Sequence, residues 1–379
     1  MKIKKNLLLL GTTSYGEELS KSNQNKFNEL NSEFNVFVFT LGSNSKTKKF
    51  SNVTIEYTKK PKFIYSQYLK FYFLNYFKLK KYIHKNDINI VSSRDPITAL
   101  LPVLIRKFSS LDYKIILENH GDFKAQLLQQ RNNFVLKKLS FLIDILTKFI
   151  LTNIDILRGV NVQNTNKFLK NNSAVKFYNF PAWVDNIIFN NKKYQRRKNL
   201  LFVGNVIERK GVYFLIKSLK QFLLFNKEIH FHIVGAHPDE DYFNKCVQYI
   251  EENNLSKSVS FFPEKSSEDI SKLMNEARIL LMASTSEGLP RVLIESGLCG
   301  LPAIASKIDG VEKPFSTEGG TSIYDIFDND ELEKLINKLY FDEIFWNKKS
   351  IESEKLSLKL SGHRNFVNNW KKLVEMIDE

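Results

Sequence analysis

Two carboxylates, Glu287 and Glu295, stand with seven residues between them in the stretch SEGLPRVLIESGLCGLPAIAS, residues 286–306. On one continuous helix, eight steps of about 100° would leave them about 80° apart, so they cannot share a helix face. With Glu287 in a loop and Glu295 in the second turn of a helix, both can aim into one cleft. Pro290 suits the start of that helix, because its fixed φ fits the first turn and its missing N–H is not needed there. Gly300 stands where the helix should stop. Apolar runs at 279–282 and 302–305 flank it. The pattern is a βαβ unit with a polar loop at the carboxyl end of its first strand, where open α/β sheets bind ligands. The amides of Gly288 and Leu289, expected at the positive end of the helix, suit a phosphate or a sugar hydroxyl. The plainer reading of a lone Glu pair is a helix cap and a solvated surface residue.

The context of that pair decides between the two. The Glu-x7-Glu spacing within EGLPRVLIE, the small-residue helix and GLPAIAS resemble the donor-site signature of retaining glycosyltransferases of family 4, which have the GT-B fold. The resemblance implies that Glu287 lies by the transferred sugar and that Glu295 binds the ribose of the nucleotide. It extends to GNVIERKGV, residues 204–212, which is similar to the family's G-R-x-x-x-x-K-G. There an Arg and a Lys clamp the donor diphosphate. Gly204, Lys210 and Gly211 match, Asn205 stands where Arg is common, and Arg209 is the candidate substitute. Fixed cations at that point would stabilise the charge that grows on the leaving group as the glycosidic C–O bond breaks. Without the resemblance, Arg209 and Lys210 read as solvated charges before a helix.

In the first half, the loop GTTSYGEE, residues 11–18, follows an apolar strand. Gly11 and Gly16 allow backbone to approach a ligand, although the loop is not a G-x-G-x-x-G fingerprint. By resemblance Gly16 lies near the donor phosphates, and an ordinary strand–helix turn is the alternative. His120 sits just past the expected strand 113–117, in ENHGDF. A lone His is usually structural, but its position resembles that of the family's N-domain His, which faces the donor sugar. Arg94 and Asp95, after the strand 88–92, and PAWVD at 181–185 with Phe189 resemble further family segments.

Composition bounds the rest. A chain of 379 residues with 43% hydrophobic content suggests two globular domains. Two cysteines, Cys246 and Cys299, far apart in sequence, argue against a disulfide framework and fit a reducing compartment. No apolar run approaches the ~20 residues needed to span a bilayer, and Leu7–Leu10 is too short for a signal peptide. No D-x-D motif or clustered histidines suggest a metal site, and no metal or other cofactor is expected. The net charge of +15 is lopsided: residues 1–190 hold 29 Lys and Arg against 13 Asp and Glu, and residues 191–379 hold 27 against 28. A one-sided basic surface points to an anionic partner, and no nucleic-acid recognition motif accompanies it. Aromatics and lysines interleave in residues 61–85 and again in 126–151, a composition suited to an anionic membrane surface. A buried helix with a lysine-rich end is the alternative.

These readings converge on an α/β protein of GT-B type, with two Rossmann-like domains whose parallel sheets face each other across a cleft. The expected division is residues 1–190 for an acceptor-binding domain, 191–360 for a nucleotide-sugar domain, and 361–379 for a terminal helix packing back on the first domain. The function implied is retaining transfer of a sugar from a nucleotide-sugar to a glycan or lipid-linked hydroxyl acceptor, in cell-surface polysaccharide or lipopolysaccharide assembly. The expected location is cytoplasmic, peripheral on the inner face of the plasma membrane. Alternatives are a non-catalytic partner subunit with the same fold and a sugar-nucleotide epimerase.

Overall fold

The computed structural model describes residues 4–13, 15, 18–59, 64–121, 140–169, 175–193, 198–316 and 319–379. The chain forms two compact units. Unit 1 comprises Met1–Ala182 and His363–Glu379, and unit 2 comprises Trp183–Gly362.

Unit 1 is built on an eight-stranded sheet. In chain order the strands are β1 Lys5–Leu10, β2 Phe34–Gly42, β3 Lys46–Lys49, β4 Thr54–Lys59, β5 Ile90–Ser93, β6 Lys114–Asn119, β7 Ile156–Gly159 and β8 Phe177–Asn179. In space they run β3-β4-β2-β1-β5-β6-β7-β8. Only the β3–β4 pairing is antiparallel. Parallel strands with helices on both faces read as continuous apolar runs, as in Leu7–Leu10, where Leu7 and Leu8 are fully buried. Strand β3, KTKK, has no such pattern; it is a short lysine-rich edge, a common device against edge-to-edge association. The final helix, His363–Asp378, packs on unit 1 through Phe366, Val367, Trp370, Leu373 and Val374. Lys5 Nζ donates to Asp378 Oδ1 at 2.6 Å, and His363 Nδ1 lies 3.1 Å from Glu29 Oε1.

Unit 2 holds a fully parallel six-stranded sheet of β9 Leu200–Val203, β10 Phe231–Val234, β11 Val259–Phe262, β12 Ile279–Met282, β13 Ala303–Ser306 and β14 Ser322–Tyr324, in the order β11-β10-β9-β12-β13-β14. Alternate residues feed two cores. Leu200, Phe202, Phe231, Ile233, Ile279 and Leu281 face one side. Leu201, Val234, Leu280, Met282, Ala303 and Ala305 face the other.

The border between units differs from the sequence expectation. Residues 183–190 belong to unit 2, because Val184, Ile188 and Phe189 bury their side chains in its second core. Asp185 closes this turn by accepting from the Ile187 amide at 3.0 Å, and Ser271 Oγ donates to the Ile188 carbonyl at 2.7 Å. Apolar burial, rather than the polar stretch that follows, fixes the boundary.

In both sheets the strand order reverses at the unit's first strand. β1 lies between β2 and β5, and β9 lies between β10 and β12. The carboxyl ends of β1/β5 and of β9/β12 are therefore the topological switch points, where this architecture leaves a crevice for ligands.

Candidate functional site

The loops after β9 and β12 meet at the switch point of unit 2. After β9, Gly204 keeps its amide in the sheet, donating to the Val234 carbonyl at 2.9 Å. Glu208–Lys210 form one 3-10 turn, closed by Gly211 at φ 67°. That residue must be glycine on two counts: the left-handed φ, and a Cβ that would lie 2.3 Å from the Ala283 carbonyl oxygen. The close approach lets the two loops bond, with the Thr285 amide donating to the Arg209 carbonyl at 2.9 Å.

Glu287 is the focus. Lys210 Nζ lies 2.6 Å and Arg209 NH1 3.1 Å from the same carboxylate oxygen, Oε1, and Arg209 also donates to the Ser286 carbonyl. Burial alone would push the Glu287 carboxyl up, but the charges of Lys210 and then Arg209 outweigh it and hold it below the ordinary carboxylate range. Glu287 is therefore an ionised acceptor at neutral pH. The adjacent residues Arg209 and Lys210 reach one point because they leave a tight turn rather than a helix. Asn205, in contrast, is exposed, and its side chain makes no hydrogen bond among the described residues.

Glu295 stands in the second turn of the helix Arg291–Leu298, as its spacing from Glu287 implied. Among the described residues its carboxylate has no hydrogen-bond or ion-pair partner. Burial raises its pKa, with Arg291 offsetting only part. The helix itself begins later than the sequence suggested. Pro290 is its cap, at ψ 108°, so Gly288 and Leu289 precede the terminus instead of supplying its first amides. A residue before proline is pushed away from the α region, which is why the helix cannot reach back. Gly288 is buried, and its carbonyl would lie 2.6 Å from a Cβ on Gly310. Gly310 thus lets the loop after β13 press against Glu287 and Gly288. Leu289 packs against the second core.

Unit 1 places His120 at its own carboxyl edge, one residue past β6. His120 Nε2 lies 3.1 Å from Glu118 Oε2. Burial lowers the His120 pKa; Glu118 opposes that, and Arg158 and Arg94 add to it, so the imidazole is neutral at pH 7. Glu118 in turn is bonded by the Arg158 guanidinium on Oε2 and by Ser92 Oγ on Oε1 at 2.8 Å. Burial would raise the Glu118 carboxyl, but Arg158 and His120 hold it far below the usual range. Asp95 caps the helix Pro96–Lys107, and the Arg94 guanidinium donates to Thr13 Oγ1, which ties the β5 loop to the β1 loop. Gly16 lies outside the described residues.

Sequence reading missed Glu118, Arg158 and Ser92. Each sits in or beside an apolar strand run, where one polar residue reads as a solvent-facing position. An Arg inside ILRG, next to strands with no polar face, was the available signal.

Two units of parallel α/β structure, each with a switch point at its first strand, define the GT-B class. Residues 184–356, most of unit 2, match the model of the family Glycosyl transferases group 1. An uncharacterized glycosyltransferase of Methanocaldococcus jannaschii is 26% identical over 219 residues, 53% of this chain. The match spans 58% of that relative's length. Among solved structures, sucrose-phosphate synthase from Thermosynechococcus elongatus superimposes with a TM-score of 0.81 at 16% identity, over 99% of both chains. Anabaena HepE, in complex with UDP and glucose, gives 0.77 at 13% identity, over 98% of this chain and 99% of its own. At these identities the structural likeness speaks for the fold.

Proposed function

We propose that the protein is a retaining glycosyltransferase that moves a sugar from a nucleotide-diphosphate sugar to a hydroxyl acceptor. The observation that carries this is the convergence of Lys210 and Arg209 on Glu287 at the unit 2 switch point, with Glu295, which has no hydrogen-bond partner among the described residues, on the next helix. Two fixed cations suit a diphosphate leaving group, on which charge grows as the bond to the anomeric carbon breaks. An ionised Glu287 accepts hydrogen bonds from sugar hydroxyls. Glu295 accepts from the vicinal hydroxyls of a ribose, and a burial-raised carboxyl gains most from such donors. The acceptor oxygen bonds to the anomeric carbon on the face the diphosphate leaves, and its proton passes to a donor phosphate oxygen. The UDP and glucose bound to Anabaena HepE support a uridine donor.

The test is a panel of nucleotide sugars, with UDP-glucose first, read by thermal shift and by nucleotide release. One diphosphate sugar should raise the melting temperature and turn over. If none binds, the reading is overturned.

The acceptor we propose is a glycan or lipid-linked hydroxyl compound of cell-surface assembly, met at the cytoplasmic leaflet. Among the described residues no helix is long and apolar enough to cross a membrane. Unit 1 exposes Phe141, Leu142 and Ile145 on the helix Ser140–Leu151, together with Lys148. On the helix Ile64–Lys85 it exposes Phe77 beside Lys81 and Lys85. Lys78 is not part of such a surface, since it pairs with the buried Glu56 at 2.7 Å. The aromatic side chains at 63–73 lie outside those described. Each basic residue near an anionic leaflet contributes about 1 kcal/mol, screened by salt.

A further inference from the structure

Both oxygens of the Glu118 carboxylate carry partners, two of them from neighbouring parallel strands. Ser92 lies in β5, Glu118 in β6 and Arg158 in β7, where Glu118 and Arg158 stand opposite each other in register. Oε1 accepts from Ser92 Oγ at 2.8 Å, and Oε2 accepts from Arg158 and meets His120 Nε2 at 3.1 Å. Arginine keeps its protons, and an ionised carboxylate can only accept. The proton between His120 and Glu118 therefore sits on Nε2. In a neutral imidazole the other nitrogen is then a bare acceptor. His120 Nδ1 has no hydrogen-bond partner among the described residues.

We infer that Ser92, Glu118 and Arg158 are positioning residues that lock His120 as the Nε2–H tautomer and present Nδ1 as a bare hydrogen-bond acceptor at the carboxyl edge of the unit 1 sheet. The kinetic consequence rests on the proposed function, and the tautomer on the hydrogen-bond geometry. Arg158 is itself immobilised. Its side chain is 2% exposed, its guanidinium lies over the Phe180 ring at 4.2 Å and the Trp370 ring at 5.8 Å, and NH2 donates to the Pro181 carbonyl at 3.1 Å. Trp370 belongs to the last helix of the chain, so the C-terminus helps to fix a group at the sheet edge. A flipped or mobile imidazole would offer N–H where an acceptor is wanted, which is the kind of error an orienting carboxylate prevents.

Histidine 15N NMR of the wild-type protein reads the tautomer without turnover, with the His120 signal identified by its loss in His120→Gln. The expected result at pH 7 is protonated Nε2 and bare Nδ1. Protonated Nδ1, or an imidazolium, overturns the inference. In the kinetic arm, using the nucleotide sugar that turns over, Glu118→Gln should lower kcat about 10–100-fold, with the donor KM within about twofold. It should also shift His120 to a mixture of tautomers. A purely structural role would lower the melting temperature and leave the tautomer unchanged. Ser92→Ala removes one neutral donor and keeps the ion pair, so it serves if Glu118→Gln does not fold; about a fivefold loss of kcat is expected. A folded variant with wild-type kcat overturns the positioning role. Failure of every nucleotide sugar overturns the proposed function, while the tautomer is decided by the spectrum.

Discussion

Each unit holds a carboxylate against an arginine at the carboxyl end of its sheet, and the two pairs differ in what surrounds them. In unit 1, Arg158 is 2% exposed beneath Phe180 and Trp370, and its partner Glu118 accepts on both carboxylate oxygens. In unit 2, Arg209 and Lys210 are each 18% exposed, come from a loop, and share a single oxygen of Glu287. An arginine buried to that degree does not change partners, so it holds something else in place. Cations with solvent access can be shared with an arriving anion at little desolvation cost. The same chemical pairing is therefore closed in one unit and leaves its cations open to an anion in the other.

The sharpest way to break this contrast is to remove a cation from each. Arg158→Leu leaves Glu118 buried and uncompensated, and should destabilise unit 1 by ~3–5 kcal/mol, seen as a lower melting temperature at pH 7. The pair also makes stability depend on pH. The Glu118 carboxyl is depressed in the folded state, so the unfolded chain binds more protons once pH falls below the ordinary carboxylate value of about 4.3. Its contribution is present above that pH and lost below it, and Arg158→Leu should flatten the acid slope. An unchanged melting temperature would place Arg158 outside the stability of the unit.

Lys210→Ala should do the reverse. Turnover should fall ~10²-fold or more while the melting temperature moves little. Near-normal turnover would remove Lys210 from the chemistry. The carboxylates of unit 2 divide further. Glu295→Gln should weaken free-UDP binding by roughly ten- to a hundredfold, the worth of a hydrogen bond to a charged group. Glu287→Gln should act mainly on kcat, because sugar contacts change at the transition state whereas ribose contacts persist. Equal UDP affinity in Glu295→Gln and wild type would sink the ribose role.

Smaller effects test the margins of the comparison. Sedimentation with anionic vesicles, released by high salt and absent with neutral vesicles, is expected of unit 1 and not of unit 2. Lys81→Gln with Lys85→Gln should weaken it by about 1 kcal/mol per charge. Equal binding to neutral vesicles would leave the basic half as composition only. The smallest change expected is Asn205→Ala. Its exposed, unpartnered side chain should cost no more than ~0.5 kcal/mol in stability, with turnover within about twofold. A loss as large as that of Lys210→Ala would move the clamp from Arg209 back to Asn205.

Much of unit 2 was legible before folding. Strands β9 and β12 are apolar runs bounded by polar loops, and the placement of Glu287 in a loop and Glu295 in a second helical turn followed from their spacing. Less of unit 1 was. Strand β3 carries no apolar pattern, and β8 is three residues long, so neither rises above the polar background of its neighbours. The domain border was misplaced because Val184, Ile188 and Phe189 are apolar in either unit; only packing shows which core takes them.

What the sequence determined by itself were local matters: strand runs, the Pro290 and Gly300 ends of a helix, a glycine at 211, and the types of residue at the donor loops. Those depend on φ preferences and on periodicity, which a chain carries residue by residue. Only the tertiary structure decided that Arg209, not Asn205, meets Glu287 beside Lys210, and that Ser92 and Arg158 hold Glu118, the partner of His120 Nε2. Apart from the Glu118–His120 contact, the partners lie 26 to 78 positions apart along the chain. Strand order and loop approach bring them together, and neither is written in any local stretch.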